Sequence, residues 1–208
     1  MDQPQPAKWK PPRYRRSTRA RITRLRRNVH HCWSSIAVLV WFFVLPLRSE
    51  QPAALPEHQV KAVFLLNFLK YVEWPGLPNT STNSPLEIVH VGENAFGDDA
   101  SSLVKSKIID GRTVVLTHSD APADWKGGRI LFVSDSERRR LPEIVQAVKG
   151  MPVLTVGESE GFLERGGMIN FVVKEKKVRL EINLVAAEAA GLKISSRLLA
   201  VADTVKRK

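Results

Sequence analysis

A five-residue stretch in the second half of the chain has the spacing of a serine nucleophile. Gly157-Glu158-Ser159-Glu160-Gly161 matches the G-x-S-x-G pattern, in which a serine on a sharp turn after a strand attacks a carbonyl carbon. That chemistry needs a histidine base, which follows the serine along the chain in the α/β-hydrolase fold. All five histidines precede Ser159: His30, His31, His58, His90 and His118. We therefore expect a glycine-bounded polar loop here, and we predict that the protein is not an enzyme.

No other residues that could do chemistry have a recognised spacing. The histidines beyond residue 50 are not at metal-ligand spacing, and the single cysteine, Cys32, lies ahead of them. Asp98-Asp99 and the pair Asp120 and Asp124 are typical of helix starts and turns. The chain contains neither a dinucleotide-binding G-x-G-x-x-G pattern nor a phosphate-binding loop. We predict no metal ion and no cofactor.

Two loops that follow predicted strands are candidates for binding a small ligand. Gly92-Glu93-Asn94 comes directly after a predicted strand at Leu86–Val91, and Gly157-Glu158 comes directly after one at Val153–Val156. Ligands of open α/β sheets bind outside the carboxyl ends of strands, where both loops would lie. An ordinary strand–helix turn is the competing interpretation of Gly92-Glu93-Asn94.

A second set of residues could contact a protein partner. Binding surfaces concentrate their energy in a few aromatic and arginine side chains. The candidates are Trp74, Phe162, Arg165, Arg179 and Glu181. The competing interpretation is that Trp74 and Phe162 are core residues and that Glu181 forms a structural ion pair.

A β-hairpin is predicted to organise these candidates. Met168–Val173 and Val178–Ile182 are rich in β-branched and apolar residues, and they flank a charged turn at Lys174–Lys177. In the second strand apolar residues alternate with Arg179 and Glu181, so one face is expected to be buried and the other wet. Asn183 then stands where the N-cap of a helix over Leu184–Ala190 belongs.

Strands and helices alternate through the rest of the chain. Apolar residues at three- and four-residue spacing predict a helix over Glu57–Val72. The other predicted helices are Phe96–Lys107, Ser134–Val148 and Arg197–Val205, and the other predicted strands are Thr113–Leu116 and Arg129–Val133. Pro122–Gly128 is predicted to be a loop. This order predicts an α/β fold: a single-domain sandwich with a mixed, mostly parallel sheet of five or six strands flanked by helices, ending in the C-terminal β-hairpin.

The positive charge of the chain is concentrated at its start. Residues 1–31 carry ten Lys or Arg and one acid, which accounts for +9 of the formal net charge of +11. The remainder is nearly neutral, so the charge gives no reason to expect a nucleic-acid partner.

An apolar segment, Ile36–Leu47, follows this basic run. It is shorter than the roughly 20 residues of a spanning helix, and a basic run before a short apolar segment is typical of a signal peptide. We predict a leader over residues 1–52, export by the Sec route, and a periplasmic domain over residues 53–208. Cleavage is expected near Ser49 or at Ala53–Ala54. An uncleaved inner-membrane anchor is the alternative.

Several segments of the predicted domain resemble the motifs of the YfiR family. They are Val60–Phe68 and Val72–Pro75 near its start, Leu154–Val156 in the middle, and Gly166–Phe171, Glu181–Asn183 and Gly191–Leu199 towards its end. The resemblance implies a periplasmic α/β regulator, acting as a homodimer, that represses a membrane-bound diguanylate cyclase. Through that inner-membrane partner it would control cyclic di-GMP and biofilm formation. Disulfide-based redox sensing, also known in the family, does not carry over, because the predicted domain has no cysteine.

Two function classes therefore remain open. The first is a regulator that acts through protein contacts, and the second is a periplasmic small-molecule binding protein that serves a sensor kinase or a transport receptor. Both are compatible with the pattern of elements, and a sensor could combine them.

Overall fold

The computed structural model describes residues 55–75 and 84–208. The predicted leader, residues 1–52, lies outside this described part. Among the described residues, no helix has the length and apolar character needed to cross a bilayer.

Short elements alternate along the described chain. The helices are α1 (Glu57–Tyr71), α2 (Gly97–Lys105), α3 (Pro122–Trp125), α4 (Leu141–Ala147), α5 (Leu184–Ala189) and α6 (Ser196–Ala200), with a 3-10 turn at Asp135–Glu137. The strands are β1 (Val72–Glu73), β2 (Leu86–Val91), β3 (Ile108–Ile109), β4 (Arg112–His118), β5 (Ile130–Val133), β6 (Leu154–Gly157), β7 (Ile169–Lys174), β8 (Lys177–Asn183), β9 (Lys193–Ile194) and β10 (Thr204–Lys206).

The main sheet has the strand order β10-β8-β7-β6-β5-β2-β4-β3. Its pairs are parallel except for β3 with β4 and β7 with β8, so the predicted mixed, mostly parallel α/β fold is confirmed. Eight strands form it, where five or six were predicted. The additional strands are β3 and β10 at the two edges, which have two and three residues and are too short to leave a periodic pattern.

Apolar residues cover both faces of this sheet. All four residues of β5 and of β6 are buried, as expected of central parallel strands with layers on both sides. Side chains of α1, α2 and α5 pack with one face in the larger core. Trp125 of α3, Leu141 and Ile144 of α4, and Phe162 pack with the other face.

Three predicted elements differ from the structure. Ser134 caps only the short 3-10 turn, and α4 begins at Leu141 because Pro142 suits the start of a helix. The final helix ends at Ala200 instead of Val205, and Thr204–Lys206 pairs with β8. Pro122–Trp125, predicted to be loop, forms a single helical turn.

The parallel strands β2, β5 and β6 end at the same edge of the sheet. Gly92, Ser134 and Glu158 are the residues that follow them. The hairpin β7–β8 extends beyond this edge, because β7 pairs with β6 only through Ile169 and Asn170. A corner therefore forms between the end of β6 and the projecting hairpin.

Candidate functional site

An open groove of about 670 Å³ occupies this corner. Residues of α1, of the turn after β5, of the loop after β6 and of the hairpin line it. Six of the lining side chains are acidic: Glu57, Asp135, Glu158, Glu160, Glu164 and Glu181. The one basic side chain in the lining is Lys61. We call this feature the acidic groove.

Lys61 is held at the groove by two carboxylates. It is 8 % exposed, and its Nζ donates to Glu158 Oε2 at 2.7 Å and lies 2.5 Å from Glu57 Oε1. Burial alone would lower the pKa of Lys61, but the hydrogen bonds and charge attraction of Glu158 and Glu57 outweigh it and raise the pKa above its ordinary value. Lys61 is therefore a fixed positive charge inside an acidic lining.

Glu158 connects three elements through its two carboxylate oxygens. One oxygen accepts from Lys61 on α1, and the other accepts from the backbone N–H of Asp135 at 3.2 Å. Because Glu158 directly follows β6 and Asp135 begins the turn after β5, this side chain ties α1 to the carboxyl edge of the sheet. It was predicted as a ligand-loop residue, and the structure gives it a structural contact in the groove wall.

The other acids of the groove differ in how far they are neutralised. Glu160 pairs with Arg138 at 2.6 Å, and Glu181 lies 3.6 Å from Lys174. The carboxylates of Asp135 and Glu164 have no hydrogen bond or ion pair within the described part of the chain. These two exposed carboxylates are the free anionic groups of the groove.

Asn170 adds a buried polar group to the lining. It is 3 % exposed, and its Oδ1 has no hydrogen-bond partner among the described residues. In the sheet it stands opposite Gly157 on one side and Glu181 on the other, so its side chain shares a face with that of Glu181. A buried acceptor without a partner is costly, and each one calls for an explanation such as a bound water or ion or a functional role.

Phe162 is a core residue, which corrects its prediction as a surface contact. It is completely buried, and a Cβ placed on Gly157 would lie 2.5 Å from its ring, with Gly167 equally close on the other side. The ring is therefore clamped between two backbone segments, which explains why both positions are glycine. The sequence left both interpretations of Phe162 open, because it does not show that the loop folds back over its own aromatic residue.

Ser159 lies in the same loop and has no access to solvent. Its exposure is 0 %, and its Oγ has no hydrogen-bond partner among the described residues. A serine nucleophile must be exposed and hydrogen-bonded to its base. The glycine-bounded loop is thus what the structure shows, and its chain continues into β7 without an intervening helix.

The first predicted ligand loop adjoins the acidic groove without lining it. A Cβ on Gly92, whose φ is +85°, would lie 2.5 Å from Ser136 Oγ, so the turn after β5 fills the space beside it. The N–H of Glu93 donates to the same oxygen at 3.0 Å, and Asn94 Oδ1 accepts from the N–H of Phe96 at 3.1 Å. These contacts are those of a strand–helix turn, the competing interpretation.

Trp74 lies at the opposite end of the sheet from the acidic groove. The guanidinium of Arg129, which precedes β5, is 5.8 Å from the centre of its ring. The indole is partly buried against the larger core, and its Nε1 has no hydrogen-bond partner in the described residues. Trp74 is therefore not part of the groove lining.

Arg165, Arg179 and Glu181 remain near the groove. Arg165 is exposed and its Nη1 donates to the carbonyl of Glu160 at 2.9 Å, while Arg179 is exposed on β8 two residues before Glu181. Of the predicted partner residues, Glu181 alone lines the groove, whereas Arg165 follows the lining residue Glu164 and Arg179 lies two residues before Glu181.

His90 and His118 are distant in the sequence but lie side by side at the carboxyl edge of the main sheet. His90 and His118 are register partners of β2 and β4, and His90 Nε2 lies 3.2 Å from His118 Nδ1. Burial first, and then the neighbouring His118, lower the pKa of His90. The only available signal was that His90 lies next to the end of one predicted strand and His118 lies two residues beyond another. No group of three or more potential metal ligands occurs among the described residues.

Two solved structures are similar to part of the chain. A conserved domain protein from Vibrio cholerae O1 biovar El Tor is 16 % identical, with a TM-score of 0.47 over 72 % of this chain and 60 % of that one. The ABC domain in complex with L-Trp from Streptococcus pneumoniae is 12 % identical, with a TM-score of 0.47 over 71 % and 60 % of the two chains. The chain thus spans about 60 % of the length of each.

One protein-family model matches most of the described chain. None of the curated proteins matches this chain. The model of the family described as YfiR/HmsC-like (DUF4154) matches residues 58–203, which is nearly the whole described part and includes every residue of the acidic groove except Glu57. The chain therefore belongs to the YfiR/HmsC-like family.

Proposed function

We propose that this protein is a periplasmic repressor that binds the periplasmic segment of an inner-membrane diguanylate cyclase. By holding that enzyme inactive, the protein limits cyclic di-GMP and biofilm formation. It is exported by a leader over residues 1–52 and acts as a homodimer.

Membership of the YfiR/HmsC-like family is the observation that carries this proposal. The acidic groove supplies a surface through which such a protein could contact a partner.

A deletion strain tests the proposal. Removing the gene should raise cellular cyclic di-GMP and surface attachment, and a plasmid copy should restore both. The same deletion in a strain whose candidate cyclase carries an inactive catalytic site should change neither. Unchanged cyclic di-GMP in the simple deletion strain would contradict the proposal.

A second function is favoured by the groove itself. A volume of about 670 Å³ lies within the range of ligand pockets, and Asn170 Oδ1 is an unused acceptor in its wall. A small-molecule binding protein that serves a sensor kinase or transport receptor would use these features. Native mass spectrometry of protein purified from periplasm separates the two functions, since a retained small molecule supports the second.

A further inference from the structure

The acidic groove offers hydrogen-bond acceptors almost exclusively. The carboxylates of Asp135 and Glu164 are exposed and unpaired among the described residues, and carboxylates accept but do not donate. The one cationic donor in the lining, Lys61, is already engaged by Glu57 and Glu158. A complementary ligand must therefore bring positive charge and several donors.

Asn170 points to the same ligand chemistry independently of the acids. Its Oδ1 is a neutral acceptor, is buried, lies in the groove wall, and has no partner within the described part of the chain. If the amide turned towards the groove, a donor from a ligand would satisfy this oxygen, and the free energy lost by its desolvation would be recovered on binding. Ionised carboxylates and a buried amide oxygen together match a guanidinium group, which carries five N–H donors in a plane.

The shape of the groove indicates how such a group is presented. The groove is open to solvent, and the hairpin strand β7 contributes Val172 and Val173 to its wall. Val173 is 54 % exposed, so it presents apolar surface beside the charged side chains. An apolar strip beside a row of acceptors suits a chain segment whose arginine or lysine stems pack on the valines while their heads reach the carboxylates.

We propose that the acidic groove is the docking site for a basic, extended segment of the membrane partner, with an arginine head group between Asp135, Glu164 and Asn170. This inference rests on the proposed function for the identity of the partner and adds its chemistry. Charge complementarity carries the choice of occupant, because the carboxylates of Asp135 and Glu164 have no cationic partner among the described residues. Charge pairing of this kind also steers association, so binding weakens as salt rises.

Binding of a defined peptide tests the groove directly. The probe is the fluorescein-labelled peptide Gly-Arg-Gly-Arg-Gly-Arg-Gly, titrated by fluorescence anisotropy into protein purified from periplasm. The same peptide with citrulline in place of arginine keeps the shape and removes the charge. We expect binding of the arginine peptide at low salt, loss of binding at high salt, and at least tenfold weaker binding of the citrulline peptide.

Two groove variants and one control locate the binding site. Asp135→Asn combined with Glu164→Gln should weaken the arginine peptide about tenfold, since a hydrogen bond to a charged group contributes on that scale. Asn170→Leu should weaken it as well while leaving the melting temperature equal or higher, because an unsatisfied polar group is replaced by an apolar one of similar shape. Glu188→Gln removes one negative charge from an exposed site on α5 outside the groove, and it should not change affinity.

The outcomes separate this inference from the proposed function. No binding, or binding that the groove variants leave unchanged, overturns the groove assignment. If spermidine displaces the peptide fully and the peptide binds no more tightly than spermidine, the ligand of the groove is a small cation and not a chain segment. Suppose that cyclic di-GMP rises in the deletion strain and that the Asp135→Asn/Glu164→Gln variant restores it fully. The proposed repressor function would then be supported, and the groove assignment would be rejected. If peptide binding depends on the groove residues but cyclic di-GMP is unchanged in the deletion strain, the groove assignment is supported and the proposed repressor function is rejected.

Discussion

At the scale of single residues, Lys61 has the most consequential environment. It joins α1 to the loop after β6, and its positive charge is surrounded by the acids of the groove. Without Lys61, the Glu158 side chain, which is 12 % exposed, would keep a carboxylate next to Glu57 and have no cationic partner. Removing one partner of a nearly buried pair is more costly than the pair itself is stabilising.

Lys61→Met should therefore lower the free energy of unfolding by roughly 2 to 4 kcal/mol, between the cost of an unsatisfied buried group and that of a broken buried pair. Because the folded pKa of Lys61 is raised, its contribution is complete below the unfolded value of about 10.4 and is lost as pH rises through the folded value. Urea unfolding at neutral and strongly alkaline pH measures both effects. Lys70→Met, an exposed site on the same helix, is the control and should change stability by less than about 0.5 kcal/mol.

His90 gives stability the opposite dependence on pH. Its folded pKa is lowered, chiefly by burial and then by His118, so the unfolded chain takes up a proton at a higher pH than the folded chain. The contribution of His90 to the free energy of unfolding is therefore complete above the unfolded pKa of about 6.5, and it is lost as pH falls below that value. The difference between melting temperatures at pH 7.5 and about pH 5 should shrink in His90→Gln and stay the same in His58→Gln. Equal differences in all three proteins would exclude this role of His90.

Single residues were predictable where local chemistry decides and unpredictable where register decides. The lack of a histidine after Ser159 was enough to expect a polar loop, and Ser159 is indeed buried. The contact of His90 with His118 depends on which strands are neighbours, which spacing along the chain does not encode. The groove partner of Glu158, Lys61, is 97 positions away and was not foreseen for the same reason.

At the scale of elements, the loop between β6 and β7 is organised by one aromatic ring. Phe162 lies against the backbones of Gly157 and Gly167, and the N–H of Gly167 donates to the carbonyl of Phe162 at 3.0 Å. Neither glycine has a positive φ, so the ring, and not backbone conformation, excludes larger side chains there.

This packing predicts a strong coupling between two substitutions. Phe162→Ala should cost about 3 to 5 kcal/mol through the cavity that it leaves. Gly157→Ala should cost roughly 1 to 3 kcal/mol in the wild-type background through overpacking, and much less when residue 162 is already alanine. Chemical denaturation of the two single variants and the double variant measures the coupling. Strictly additive costs would show that the ring does not set the size limit at Gly157.

Long elements were predicted well and short ones were not. α1, β2, β7 and β8 match the sequence patterns to within a residue or so, because each has several apolar positions. The failures at the C-terminus and after β5 involve segments of three to five residues. There, tertiary contacts decide between a helical turn and a strand, as for Thr204–Lys206 beside β8.

At the scale of the whole molecule, the fold class followed from the alternation of elements, and the acidic groove did not. Six of the eight strands of the main sheet were expected, and only the two edge strands were missed. The groove combines side chains from α1, two loops and a hairpin, which come together only once the strand order is known. Family membership, in contrast, was visible in motifs spread along the chain and is confirmed.

Processing and redox behaviour are also properties of the whole molecule. Cys32 is the only cysteine of the chain and lies in the proposed leader, so no disulfide can form within one chain. Protein recovered from periplasm should begin between about residues 48 and 56, as N-terminal sequencing would show. Its melting temperature should be the same with and without dithiothreitol. A full-length product, or a shift on reduction, would contradict the proposed leader.

The projecting hairpin has a consequence for how the molecule opens. At its base, Ile169 and Asn170 pair with β6, and Glu181–Asn183 pair with β10, whereas Val172, Val173 and Val178 have only the opposite hairpin strand beside them. A two-stranded ribbon is marginally stable by itself, so the outer half should open without the rest of the sheet. Amide hydrogens of the outer half should exchange with deuterium much faster than those of the base. Because Val172 and Val173 form a wall of the acidic groove, a segment bound there should slow that exchange, making the hairpin tip a reporter of occupancy.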